Sequence, residues 1–179
     1  MTDVPRLQDG DVLLRAHTEA DLPAVVEQCQ DPDMQRFTSV PVPYAASDAA
    51  AFLDHVRAGW ADGSTASWAI EVGGRFAGTV DLRLGEGWAG IGYGLHPWAR
   101  GRGVMTSAVG LALRWGCSEG GLVGVRWEAF VGNEASRRVA EKCGFRMEGT
   151  ARGFSVARGV RHDARIGSLL APEWQASAC

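Results

Sequence analysis

Lysine is nearly absent: the 179 residues hold one, Lys142, although lysine and arginine together number 18. A kinase-like phosphate loop needs a lysine directly after its last glycine, so that class is excluded. Cysteines are few. Cys29, Cys117, Cys143 and Cys179 form no C-x-x-C couple and have no histidine at zinc-ligand spacing, which predicts reduced thiols, with neither a disulfide framework nor a zinc site. No apolar run approaches the roughly eighteen residues of a membrane span. The opening residues, MTDVPRLQDGD, lack a basic stretch followed by an apolar one, so a cytoplasmic location is expected. No Lys/Arg run exceeds two residues and the net charge is −3, which argues against nucleic acid or an anionic membrane as partner. A hydrolase nucleophile elbow and an H-E-x-x-H zinc helix are not expected either. The length fits one domain, residues 1–179 with a core of about 11–174.

What is present centres on Ile91 to Trp115, IGYGLHPWARGRGVMTSAVGLALRW. A short strand, Ile91 to Leu95, is followed by a turn at Pro97 and by Arg100, Gly101, Arg102 and Gly103. A helix comes next, with Val104, Ala108, Leu111, Ala112 and Trp115 on one face. Backbone N–H groups at a glycine-bearing helix start have no intrahelical partner and sit at the positive end of the helix dipole, so they suit a phosphate or pyrophosphate. A dinucleotide fingerprint would need a third glycine where Thr106 stands. The segment from Arg100 to Met105 instead matches the R-x-x-G-x-[GA] loop of the GNAT acetyltransferase superfamily, which the chain resembles. Met105 departs from the small residue usual at that place, and its side chain is expected to pack into the core.

Elsewhere the expected order is a strand at Asp11 to Arg15, then a helix from Thr18 to about Cys29 broken by Asp31-Pro32. A loop carries Phe37, Pro41, Pro43 and Tyr44, and Ser47 caps a second helix with Phe52, Leu53, Val56 and Trp60 inward. Ser67 to Val72 and Gly78 to Leu84 form a hairpin around Gly73-Gly74. Past the central helix come a strand at Val123 to Phe130 and a helix of Glu134 to Cys143, capped by Asn133 and closed by Gly144. Strands follow at Phe145 to Thr150 and Gly153 to Ala157, with a turn at Arg158-Gly159 into His162 to Leu170. This is an α+β fold, a mixed and mostly antiparallel sheet with flanking helices. A parallel strand pair on either side of the central helix would splay into a slot.

The resemblance extends from Leu13 to Trp174 and includes a second signature, Asn133-x-x-Ser136 leading to Gly144-Phe145. It is nearer to the branch of ribosomal-protein N-terminal acetyltransferases of the RimJ and RimL type. It implies an enzyme that moves an acetyl group from acetyl-coenzyme A to a primary amine. Main-chain groups around Leu95, His96 and Pro97 would hold the pantetheine and carbonyl, and Arg100, Gly101, Arg102, Gly103, Val104 and Met105 the pyrophosphate. Asn133 would hydrogen-bond the cofactor, and Ser136 would stand near the thiol as proton donor. Phe37 and Tyr44 would line the acceptor side. The glutamate that relatives often carry just before I-G-Y is replaced by Ala89-Gly90. Substitute bases are Glu71, Glu86, Asp81 and His96, the last two favoured. A peptide α-amine is the expected acceptor, since about 7.8 is far nearer neutrality than the 10.4 of a lysine amine. A small-molecule amine, an acyl-coenzyme A sensor without catalysis, and a homodimer stay open.

Overall fold

The computed structural model describes residues 3–177. Eight strands form one sheet in the order β1-β2-β3-β4-β5-β6-β8-β7, comprising β1 Leu7–Asp9, β2 Val12–Arg15, β3 Thr65–Val72, β4 Arg75–Leu84, β5 Trp88–Leu95, β6 Gly124–Phe130, β7 Arg146–Ala157 and β8 Val160–Leu170. Every neighbouring pair is antiparallel except β5 with β6. That exception makes the site: parallel pairing runs from Trp88↔Gly124 only to Ile91↔Trp127, whereas β5 continues to Leu95 and β6 to Phe130. Beyond Ile91 the two strands part, and the backbone of β5 facing β6 has no sheet partner.

Alternation along β5 sends Ala89, Ile91, Tyr93 and Leu95 toward the helix α4, Val104–Ser118. Its Val104, Ala108, Val109, Leu111, Ala112 and Leu113 complete the main core. Trp60, Trp68 and Trp115 meet edge-to-face at 5.0–5.6 Å on the same side of the sheet. The helices α1 (Leu22–Cys29) and α3 (Ala46–Asp62) cover the other face, burying Val25, Cys29, Ala49, Leu53 and Val56. Residues 134–142 form α5, and Ala171–Ser177 form α6.

Several expectations are corrected. Asp31-Pro32 does not lead into a plain loop. It starts a further helix, α2 (Pro32–Phe37), because Asp31 Oδ1 accepts from Met34 N–H at 3.2 Å and proline fits the first helical position. Ser47 does not cap α3; Asp48 accepts from Ala45 N–H at 2.7 Å at its start. The two strands expected between Phe145 and Ala157 are one, bent at two register shifts. Leu7–Asp9 adds an edge strand that the sequence reading omitted. The letters G-x-S-x-G do occur, at Gly116 to Gly120, but they close α4, where Ser118 Oγ donates to Arg114 O at 2.7 Å, and form no strand-to-helix elbow.

Cys29, Cys117 and Cys143 are free thiols, with burial pushing Cys29 up to about 11 and Cys143 up to about 12. Cys179 lies outside the described residues. Among the described residues no group of acidic, histidine or cysteine side chains could hold a metal, and no helix is long and apolar enough to cross a membrane.

Candidate active site

The parting of β5 and β6 opens into a cleft of about 490 Å³ lined by α2, the end of β5, the start of α4 and the start of α5. Gly101 and Gly103 adopt left-handed backbone with φ of 75° and 79°, and no protein atom lies within 4 Å of where a Cβ would stand on either. Gly103 caps α4 with no side-chain partner, and the first bond of the helix runs from Ser107 N–H to Gly103 O at 3.1 Å. The N–H groups of Val104, Met105 and Thr106 are therefore left for an anion in the cleft. Met105 is 6% exposed within the main core, as its size at this position required.

Leu95, Arg100, Gly101, Gly103, Val104, Met105, Asn133, Ser136 and Phe37 line the cleft. The role of Arg100 differs from a free phosphate ligand. Its guanidinium donates to Asp31 at 2.5 Å, to Asp33 at 3.4 Å and to Leu95 O at 3.1 and 3.2 Å, so it ties the loop to α2. Arg102 is exposed and, with His96 and Pro97, does not line the cleft.

At the α5 side three residues from different elements meet. Trp127 Nε1 donates to Ser136 Oγ at 3.1 Å, Ser136 Oγ donates to Tyr93 Oη at 3.2 Å, and Tyr93 Oη donates to Ser136 O at 2.9 Å. Asn133 Oδ1 accepts from Ser136 N–H at 3.1 Å, fixing the serine on the first turn of α5. Burial raises the Tyr93 phenol above its ordinary range, so it stays protonated and available as a donor. Tyr93 is the residue that sequence reasoning missed. The available signal was its parity with Ile91 and Leu95, which aims it toward α4 and α5.

On the opposite sheet face, Asp81 pairs in register with Gly92, and a Cβ on Gly92 would fall 2.7 Å from Asp81 Oδ2. Burial raises the Asp81 carboxyl, opposed by Arg83, whose Nε lies 3.9 Å away, and by His55. His96 does not join it. Its buried ring packs against α1, with Nε2 3.3 Å from Glu27 Oε2 but without hydrogen-bond alignment to any group. Glu71 is spent on Arg15 at 2.6 Å. Tyr44 is 6% exposed and packs with Val25, Cys29, Ala49 and Phe76 beneath the cleft wall, so it is a core residue rather than a lining one. Phe37 does line the cleft, with the Arg36 guanidinium 4.9 Å over its ring.

A second tie crosses above this face. Arg158, at the β7–β8 turn, donates to the carbonyls of Gln35, Thr38 and Val40 at 2.7–3.0 Å. Its φ of 49° is costly for a residue with a Cβ, by roughly 1–2 kcal/mol, and these charge-assisted bonds offset that.

The fold has many counterparts among solved structures. A structure of RimL, a ribosomal L7/L12 α-N-protein acetyltransferase in complex with coenzyme A, superposes with a TM-score of 0.84 at 20% identity, covering 93% of this chain and 98% of that one. The self-immunity acetyltransferase MccE, in complex with acetyl-CoA and AMP, gives 0.83 at 20% identity over 90% and 93%. In sequence, YdaF of Bacillus subtilis (strain 168), named as a candidate ribosomal N-acetyltransferase, is 39% identical over 87 residues, or 49% of this chain and 48% of that protein. The chain matches about half the length of the first curated relatives, 48% and 57%. The model of the acetyltransferase (GNAT) domain matches residues 11–146, and the chain belongs to that family.

Proposed function

We propose that the protein is an N-acetyltransferase that moves the acetyl group of acetyl-coenzyme A to a primary amine, with a peptide α-amine as the favoured acceptor. The observation that carries this reading is the splay after Ile91↔Trp127, with an uncapped, glycine-flanked helix start on one side and the Tyr93–Ser136 pair on the other. The N–H groups of Val104 to Thr106 would hold the pyrophosphate, and the unpaired edge of β5 beyond Ile91 would hold the pantetheine arm. When bound, the cofactor supplies an activated thioester.

In the transfer the neutral amine nitrogen forms a bond to the acetyl carbon, the carbon–sulfur bond breaks, and the thiolate leaves. Tyr93 or Ser136 delivers a proton to that sulfur, their mutual hydrogen bond lets the proton pass between them, and water entering the cleft restores the proton the pair has lost. The proton released by the amine passes to Asp81, whose burial makes it a stronger base than a solvated carboxylate. His96 is set aside as a base because both its ring nitrogens are buried, whereas the Asp81 side chain keeps 25% of its surface exposed.

The site has a weak base at best, which supports acceptors already partly neutral near pH 7. A lysine amine near 10.4 costs about 4.6 kcal/mol to deprotonate at that pH, against about 1.1 for an α-amine near 7.8. Mapping the acetyl group by mass spectrometry on a peptide with a free N-terminus and an internal lysine tests this; predominant lysine modification would sink it. A small-molecule amine is the second reading, supported by the likeness to MccE, whose structure is a complex with acetyl-CoA and AMP.

A further inference from the structure

On the face opposite α4, β5 carries no side chain between Trp88 and the cleft: its outward positions are Gly90, Gly92 and Gly94. Three alternate glycines weaken a strand, by roughly 0.5–1 kcal/mol each, and mark a place where something lies close to the backbone. Over Gly94 it is Gln28 and Met34, each within 3.0 Å of an added Cβ, which roofs the cleft end. Over Gly92 it is the Asp81 carboxylate, and over Gly90 the Arg83 guanidinium, 3.3 Å from an added Cβ. The glycines thus let charged groups lie flat and leave a shallow trough.

The trough is charged in two rows. Arg83, Gly90 and Arg126 are in register across β4, β5 and β6, so two arginines flank a bare strand. Two residues nearer the cleft, Asp81 pairs with Gly92, and Glu128 stands on the same side of β6, one step past the last β5–β6 pair. Glu128 Oε1 accepts from the hydroxyl of buried Ser155, which fixes the carboxylate at that row. Arg126 has no ion pair among the described residues and lies 5.9 Å over Trp88; Arg83 has only the distant Asp81. These arginines, Trp88, Gly90 and Glu128 line a second cavity of about 500 Å³ over the first half of β5.

We infer that this trough is the acceptor site, and that the acceptor is a primary amine bearing an anionic group, carboxylate or phosphate, about 7 Å from its nitrogen. That distance is the rise of two residues along a strand, the separation of the acidic and basic rows. The ammonium enters between Asp81 and Glu128, beside the splay, and the anion settles between Arg83 and Arg126 over Gly90, where it offsets the like charge of the two guanidiniums. The inference rests on the acetyltransferase reading for the direction of the amine, but the anion subsite stands on its own geometry. An acidic residue near a peptide N-terminus and a phosphorylated small amine offer the same chemistry.

Calorimetry on the coenzyme-A-loaded protein separates the cases. The probes are amidated tripeptides Ala-Glu-Ala and Ala-Gln-Ala, and aminopropyl phosphate against aminopropanol. At least one anionic member should bind about tenfold or more tighter than its neutral partner, and the pair that discriminates names the source. Arg83→Gln with Arg126→Gln should bring that ratio near one, while circular dichroism and coenzyme A affinity certify the fold. Equal binding within both pairs in the unaltered protein, or a ratio that survives the double substitution, overturns the inference. Acetyl transfer is read separately: arginine-dependent discrimination without transfer keeps the trough and rejects the enzyme, whereas transfer to all four probes at one rate keeps the enzyme and rejects the trough.

Discussion

Replacing Gly103 tests the helix-start assignment because its two consequences fall on different measurements. An added Cβ meets no protein atom within 4 Å, so the substitution clashes with nothing in the free protein. What it does incur is the left-handed φ of 79°, roughly 1–2 kcal/mol for a residue with a side chain. For a chain of this length that lowers the melting temperature by about 2–8 °C, at 2–4 °C per kcal/mol. The open space around Gly103 is where an anion would approach the N–H groups of Val104 to Thr106. A valine there fills it. Losing one charge-assisted hydrogen bond, about 1.5–3 kcal/mol, weakens coenzyme A binding by about ten- to a hundredfold beyond any effect of stability. Scanning calorimetry and titration calorimetry on Gly103→Val read the two effects. A fallen melting temperature with an unchanged coenzyme A dissociation constant would refute the assignment.

Ser136→Ala should lower turnover near the bottom of the roughly 10²–10⁴-fold range of a general acid, since Tyr93 remains as donor; total loss with cofactor binding intact would contradict this. Tyr93→Phe combined with Ser136→Ala should cost less than the product of the two single effects, because the hydroxyls share one hydrogen bond, and steady-state kinetics on the three variants measures it. Asp81, with a folded pKa above 3.8, binds more protons folded than unfolded from 3.8 upward, so its ionisation costs stability as pH rises through the folded value. Asp81→Asn should therefore raise the melting temperature at pH 7 and slow turnover, with the stability gain vanishing by pH 3. His17 runs in the other direction. Burial lowers it from 6.5 to about 4, so its neutral form stabilises the fold at pH 7 and that stability is withdrawn as pH falls through this window. At 1.36 kcal/mol per pH unit the withdrawal is about 3 kcal/mol, and denaturant titrations of His17→Phe, which keeps a ring edge-on to Phe52, should lack it.

What the sequence made legible was whatever it wrote locally. Asn133 three residues before Ser136, and glycines at the start of α4, announce themselves because capping and left-handed turns are satisfied within a few residues. Tyr93 was hidden because its partner is 43 positions away, and only strand parity joins them. Tyr44 and His96 have the residue types of a site, yet α1 and α3 pack over them; burial of a loop aromatic depends on helices whose placement no local pattern states. Asp31-Pro32 was ambiguous by nature, since the same pair that stops one helix starts another. Ala151-Arg152 read as a gap between two strands, whereas one long strand absorbs it as a bulge between Ala151 and Ser155.

The short helix α2 is held at both ends by arginines from elsewhere in the chain. Arg100 grips its first residues from the α4 loop, and Arg158 grips the backbone at and beyond its end from the far hairpin. With six residues it is too short to be stable by itself. It behaves as a strut slung between two anchors, and its position is set by theirs. A shift of the α4 loop would thus be passed along a rigid element about 9 Å long to the β7–β8 turn.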